Sequence, residues 1–227
     1  MDPCAMSVHH LRRRWKPFKD RVRGNRRYEP VCIRFHRACS WLQRTEELGR
    51  DEIDQRLILQ WIAFNSLYGR WDPSRREPQP DKPAIREFLA RILDLDEEGR
   101  VQGVLAERRQ AVLAVFGDEF LSAHFWEDQG RSGGSGGDRR KAAGWYVEGR
   151  FGMILEKLIE RIYLLRCQLI HGAATCGGGL NRKALRLCSG LLGDLLSAFL
   201  LTIIDHGTEE DWGPLCYPPV GGRQVYL

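Results

Sequence analysis

Phe151, Leu155, Leu158, Ile162, Leu165 and Leu169 recur at alternating steps of four and three, which is the seam of a packed α-helix. The seam also fixes what stands at its end. Arg166 lies beside it, and His171 comes just before Gly172 and the run Gly177-Gly178-Gly179, where the helix should stop. The chain therefore places a guanidinium and an imidazole at the end of one long amphipathic helix.

The rest of the chain reads in the same period. Phe35, Ala38, Trp41, Leu42, Thr45 and Leu48 form one stripe, ended by Gly49, and Ile53, Leu57, Trp61, Phe64 and Tyr68 form the next, ended by Gly69. Residues 71–83 hold four prolines and read as an exposed loop, with Pro83 suited to the first turn of a third helix carrying Ile85, Phe88, Leu89 and Ile92 inward. A further helical run covers Val101 to Phe116 and leads to an aromatic cluster at Phe120, Phe125 and Trp126. The last helix runs from Asn181 to about His206 on Leu185, Cys188, Leu192, Leu195, Phe199 and Ile203. No period-two run and no internal repeat is visible, so the expectation is an all-α antiparallel helical bundle. Its parts are a basic arm over 1–29, a helical domain over 30–206 with a flexible Gly/Ser-rich loop at 128–143, and a tail over 207–227.

Charge and composition narrow the class. The chain carries a net charge of +5, but its first 27 residues hold nine basic and two acidic side chains, which leaves the remainder mildly acidic. Attraction to a polyanion is therefore expected from Arg12, Arg13 and Arg14 and their neighbours. Trp15 and Phe18 are interleaved with those charges to stack on unpaired bases. The alternative is an ordinary solvated, partly helical N-terminus. Seven cysteines without paired spacing, and no leading apolar segment of the signal type, indicate reduced thiols and a cytoplasmic protein. The apolar stretch Leu191 to Ile204 is interrupted by Gly193 and Asp194 and reads as a buried core helix, not a membrane span.

An imidazole can move protons near neutral pH, and a guanidinium holds phosphate oxygens in a fixed fork. Arg166 and His171 are thus the minimum equipment for cutting RNA without a metal. The spacing alone carries little weight in a chain with 35 lysines and arginines. A basic residue in a last helical turn also has a plain structural role, worth about 0.3–1 kcal/mol against the helix dipole. Three further features bear on the site. Asn65, in the apolar face of its helix, is expected to hydrogen-bond across the bundle or to orient the motif. Asn181 is a suitable helix cap, with Arg182 beside it as a phosphate contact. Cys167, His171, Cys176 and Cys188 lack the spacing of a zinc knuckle, so no metal or other cofactor is expected.

The chain resembles the HEPN superfamily (higher eukaryotes and prokaryotes nucleotide-binding), in particular its prokaryotic Apea-like branch. The stretches that carry the resemblance are Trp61-Ile-Ala-Phe-Asn65-Ser-Leu-Tyr68-Gly69, Tyr163-Leu-Leu-Arg166-Cys-Gln-Leu-Ile-His171-Gly172-Ala-Ala-Thr175, and Asn181-Arg182. The second is the diagnostic one. The resemblance implies an α-helical bundle in which Arg166 and His171 form a metal-independent ribonuclease site, usually shared across a homodimer. Cys167 stands where active members often carry Asn, Asp or His. The expected activity is cleavage of single-stranded RNA to 2′,3′-cyclic phosphate and 5′-hydroxyl ends. The expected partners are RNA, a second copy, and an antitoxin or other protein. The alternative is a non-catalytic module that binds RNA, nucleotide or a protein.

Overall fold

The apolar stripes fold as helices. A computed structural model describes residues 6–127, 135–179 and 181–217. Among these the helices are α1 (Val8–Arg21), α2 (Glu29–Glu46), α3 (Ile53–Tyr68), α4 (Asp81–Leu95) and α5 (Arg100–Glu107), followed by α6 (Arg109–Phe116), α7 (Ala123–Glu127), α8 (Ser135–Val147), α9 (Phe151–Ile170) and α10 (Arg182–Asp205). The strands β1 (Trp71–Asp72) and β2 (Glu77–Pro78) pair as a minimal antiparallel ribbon inside the proline-rich loop. The chain is therefore all-α. It divides into two compact units, one of Met1–Glu47, Leu59–Glu97 and Leu196–Leu227, the other of Leu48–Ile58 and Glu98–Leu195.

In the first unit α1 runs antiparallel to α2. The Val8 N–H donates to Glu46 Oε1 (2.7 Å), Arg12 donates to Gln43 Oε1 (2.6 Å), and Phe18 meets Tyr28 edge-on at 5.6 Å. Val8, Leu11, Trp15 and Phe18 are buried, at steps of three, four and three. Over Val8–Arg21 the expected basic arm is thus an amphipathic helix whose seam is hidden among arginines. Pro17 is tolerated within α1 on its exposed side. Trp41, expected inward, is 38% exposed.

The same unit is tied together by a buried charge. Arg34 on α2 lies within 2.7–3.2 Å of five main-chain carbonyl oxygens, those of Leu67, Gly69, Trp212, Gly213 and Pro214. Burial, and then the neighbouring Arg70, push its pKa down to about 10, so it stays charged at neutral pH. Arg37 continues the contact to the carbonyls of Cys216 and Tyr217. The described part of the expected C-terminal tail is therefore packed. Trp212 is buried, its indole donates to Gly207 O (2.8 Å), and its ring lies 5.6 Å from Phe88. Residues 218–227 lie outside the described part.

In the second unit the run from Val101 to Phe116 breaks at Arg108 (φ −91°, ψ 15°), which separates α5 from α6. At that break Arg108 Nε donates to the buried Asp194 Oδ2 on α10 (2.7 Å). Of the loop expected over 128–143, residues 128–134 lie outside the described part, and the chain is helical from Ser135. Tertiary contacts override the local glycine content there. Asp138 accepts from Arg161, Ala142 is buried, and the Tyr146 hydroxyl donates to Leu105 O (2.8 Å). Helix α10 is long and apolar enough to cross a membrane, yet most of that apolar window is buried within the protein.

Replacing Arg34 with Ala should lower unfolding free energy by about 3 kcal/mol, because several buried carbonyls lose their donor at once. Arg34→Lys should recover little, since a single ammonium cannot serve carbonyls on two separate segments. Urea denaturation followed by circular dichroism measures both, and a change below about 0.5 kcal/mol would contradict the clamp.

Candidate functional site

Helix α9 is positioned by its seam. Leu155, Leu158, Ile162 and Leu165 are fully buried, and α9 packs against α5, α6, α8 and the short turn at Glu119–Leu121. Its end is set by glycine. The Gly172 N–H donates to Leu169 O (3.1 Å) and the Ala173 N–H to Gln168 O (2.8 Å), with Gly172 at φ +71°. This left-handed glycine turn satisfies the last carbonyls of the helix. His171 is the capping residue, exposed, with its own N–H still bonded to Cys167 O (2.9 Å).

That bond keeps His171 in helical register. Five residues at 100° each place Arg166 and His171 about 140° apart around the axis. The stop at Gly172 does not fold His171 back onto the Arg166 stripe.

Arg166 is half-buried. Its guanidinium lies 5.8 Å from the Tyr163 ring centroid, and Nη1 is 3.8 Å from Cys167 Sγ. It has no carboxylate or carbonyl partner among the described residues. Cys167 touches Arg166 through its thiol and accepts from the His171 N–H through its main-chain carbonyl.

Gln168, which sequence reasoning missed, fixes the last turn of α9. Its amide donates to Phe120 O (2.8 Å) and its carbonyl oxygen accepts from Asn181 Nδ2 (2.9 Å). Asn181 itself is at φ +59°, and its main-chain carbonyl accepts from the Leu185 N–H (2.8 Å). The expected cap thus acts through its backbone, while its side chain reaches α9. Arg182 is not a free phosphate contact: Nη1 pairs with Asp54 Oδ2 (2.6 Å) and Nη2 donates to Asp51 O (3.0 Å). Asp54 also accepts from the Gly177 N–H (3.2 Å), which pins the glycine run.

Five residues before Arg166, the sequence pattern also concealed Arg161. It is buried, donates to Asp138 Oδ2 (2.6 Å) and Asp118 O (3.2 Å), and lies 5.0 Å over the Phe116 ring. Burial lowers its pKa, and Asp138 opposes that shift. The available signal was its position inside the seam, between Leu158 and Leu165, where an arginine needs a partner.

The remaining candidates lie in the first unit or in the core. The Tyr68 hydroxyl sits between the Asn65 amide and Asp81 (2.9 Å), and Asn65 is half-buried in that network. Trp15 is buried and stacks on Phe35 at 4.2 Å, so its face is not offered to a base. Arg14 pairs with Asp205 (2.8 Å), whereas Arg13 is exposed. Cys188 is buried on α10 with its thiol pushed up by burial, and Cys176 is exposed. No group of three or more His, Cys, Asp or Glu side chains among the described residues is placed to hold a metal ion.

Compared with protein-family models, curated proteins and solved structures, the chain matches none. The case for function rests on its own residues.

The two arginines of α9 should separate experimentally. Arg161→Leu should cost about 2–3 kcal/mol of stability, at the low end for a buried pair because Asp138 is partly exposed. Arg166→Ala should change stability by less than about 0.5 kcal/mol. Thermal and urea unfolding of both variants decides it, and a large loss for Arg166→Ala would make that residue structural.

Proposed function

We propose that the chain is a metal-independent endoribonuclease of the HEPN type, acting through Arg166 and His171. The observation that carries this reading is the state of Arg166. Arg34, Arg108, Arg161 and Arg182 each hold carbonyls or a carboxylate, while Arg166, half-buried near the end of the helix that the exposed His171 caps, has no such partner among the described residues. A cation left unmatched in that position suits an incoming phosphate.

RNA carries its own nucleophile, the 2′-hydroxyl. His171 would take that proton or deliver one to the leaving 5′-oxygen. Arg166 would stabilise the charge that builds on the pentacoordinate phosphorus. The products are a 2′,3′-cyclic phosphate and a 5′-hydroxyl. One histidine does not readily perform both transfers, and the 140° separation keeps one chain's pair off a common stripe. A two-fold dimer would bring a second motif to the same helix end, outside the seam that the chain itself already buries. Ile170, 54% exposed next to His171, is an apolar surface suited to that contact. Exposed Arg13 and its neighbours on α1 would add affinity for the strand. The setting proposed for this activity is the cytoplasm.

The second reading, a module that binds RNA or a protein without cutting, is favoured by Cys167. A thiol against Arg166 is a weak hydrogen-bonding group. Cleavage of single-stranded RNA in EDTA separates the two. His171→Ala and Arg166→Ala should each lower the rate at least about a hundredfold with helical content unchanged. A 2′-deoxy sugar at the cut site should abolish the reaction, and Arg166→Lys should retain little activity. Cleavage that survives His171→Ala would exclude the assignment. A folded dimer by light scattering that cuts none of several RNAs would leave the binding reading.

A further inference from the structure

Helices α1 and α2 enclose a cavity of about 270 Å³ in the first unit. One wall is Arg12, Lys16 and Lys19, with Asp20 beside them; the other is Cys32, His36 and Cys39. Both series run i, i+4, i+7, so each is a single stripe of its helix. The stacked rings of Trp15 and Phe35 also line the space.

The polar side chains of the lining, Asp20 apart, are donors. Three permanent cations face one carboxylate. Burial pushes the Cys39 thiol up to about 12 and raises Cys32, so both remain S–H at neutral pH. Burial, then Arg12 and Lys19, lower the His36 pKa, so its imidazole is neutral at neutral pH and carries one N–H. A metal cation would meet three like charges here. An apolar ligand would find little open ring, since Trp15 and Phe35 are 4% and 2% exposed. An acceptor-rich anion fits. The volume falls just under the roughly 300–1,000 Å³ of pockets for drug-sized ligands, so a phosphate group fits with room for part of the nucleotide that carries it.

We propose that the α1–α2 groove binds the phosphate ester of a nucleotide, either free or as one unit of an RNA strand. Arg12, Lys16 and Lys19 hold the oxygens, and His36 lines the opposite wall. The site does not depend on the Arg166–His171 chemistry and stands whether or not the chain cleaves RNA.

The test uses the full chain and two uncleavable probes, adenosine monophosphate and 2′-O-methyl decauridylate, which lacks the free 2′-hydroxyl nucleophile. The His36 ring proton is followed by NMR, assigned with His36→Gln. Binding should move the His36 pKa upward, because the phosphate offsets the field of Arg12 and Lys19, and affinity should rise as pH falls through that pKa. The titratable groups that share the groove with His36 include Arg12, Lys16, Lys19 and Asp20 on α1, with Cys32 and Cys39 on its own helix. Lys16→Gln with Lys19→Gln should weaken binding about tenfold or more, and should reduce the salt slope for the decamer by about 0.7 per lost contact. Circular dichroism checks the fold of this variant. A response to the monophosphate assigns a free nucleotide, and a response to the decamer alone assigns a strand. No His36 shift with either probe at millimolar concentration, or unchanged affinity in the double variant, overturns the proposal.

Discussion

A guanidinium held by five main-chain carbonyls is the constraint on which the first unit depends. Arg34 has no carboxylate within hydrogen-bond reach among the described residues, so the dipoles of Leu67, Gly69, Trp212, Gly213 and Pro214 compensate the cost of taking it out of water. Those dipoles come from the end of α3 and from a segment that starts 178 residues beyond Arg34. The charge is tolerable only when both are in place, which makes the C-terminal segment part of the unit's core. Arg161 plays the corresponding part in the second unit with a carboxylate, Asp138, and it draws α8 onto α9.

Helix existence was legible wherever apolar residues repeat cleanly. The α9 seam, the start of α4 near Pro83 and the stop at Gly172 follow from periodicity and backbone chemistry. What the sequence hid has a common cause, a charged or glycine-rich local composition whose partner is distant. In α1 the apolar steps at Val8, Leu11, Trp15 and Phe18 are outnumbered by arginines, so a packed helix reads as a free arm. In α8 the glycines suggest a loop, and only Asp138, Ala142 and Tyr146 meeting residues far along the chain make it helical. The break at Arg108 belongs to the same class, since its partner Asp194 lies 86 residues away.

The candidate site shows the same division. Sequence spacing singles out Arg166 and His171, but it does not distinguish Arg166 from Arg161, because both lie on one helix at the border of the seam. Structure distinguishes them by what each guanidinium touches: a carboxylate and carbonyls for Arg161, a tyrosine ring and a thiol for Arg166. Gln168 carries no motif signal at all. Its role follows only from Phe120 and Asn181 arriving on either side of it.

The turn at Gly172 has one more consequence. His171 is located by main-chain bonds on both sides of it, through Cys167 O and the left-handed glycine, and no side chain or carbonyl among the described residues hydrogen-bonds its ring. A histidine fixed through its ring is committed to one tautomer, because the bonded nitrogen must keep or lack its proton. Here neither nitrogen is committed. Turning the imidazole breaks no contact that holds the helix end, so whatever molecule approaches this terminus selects the tautomer it meets.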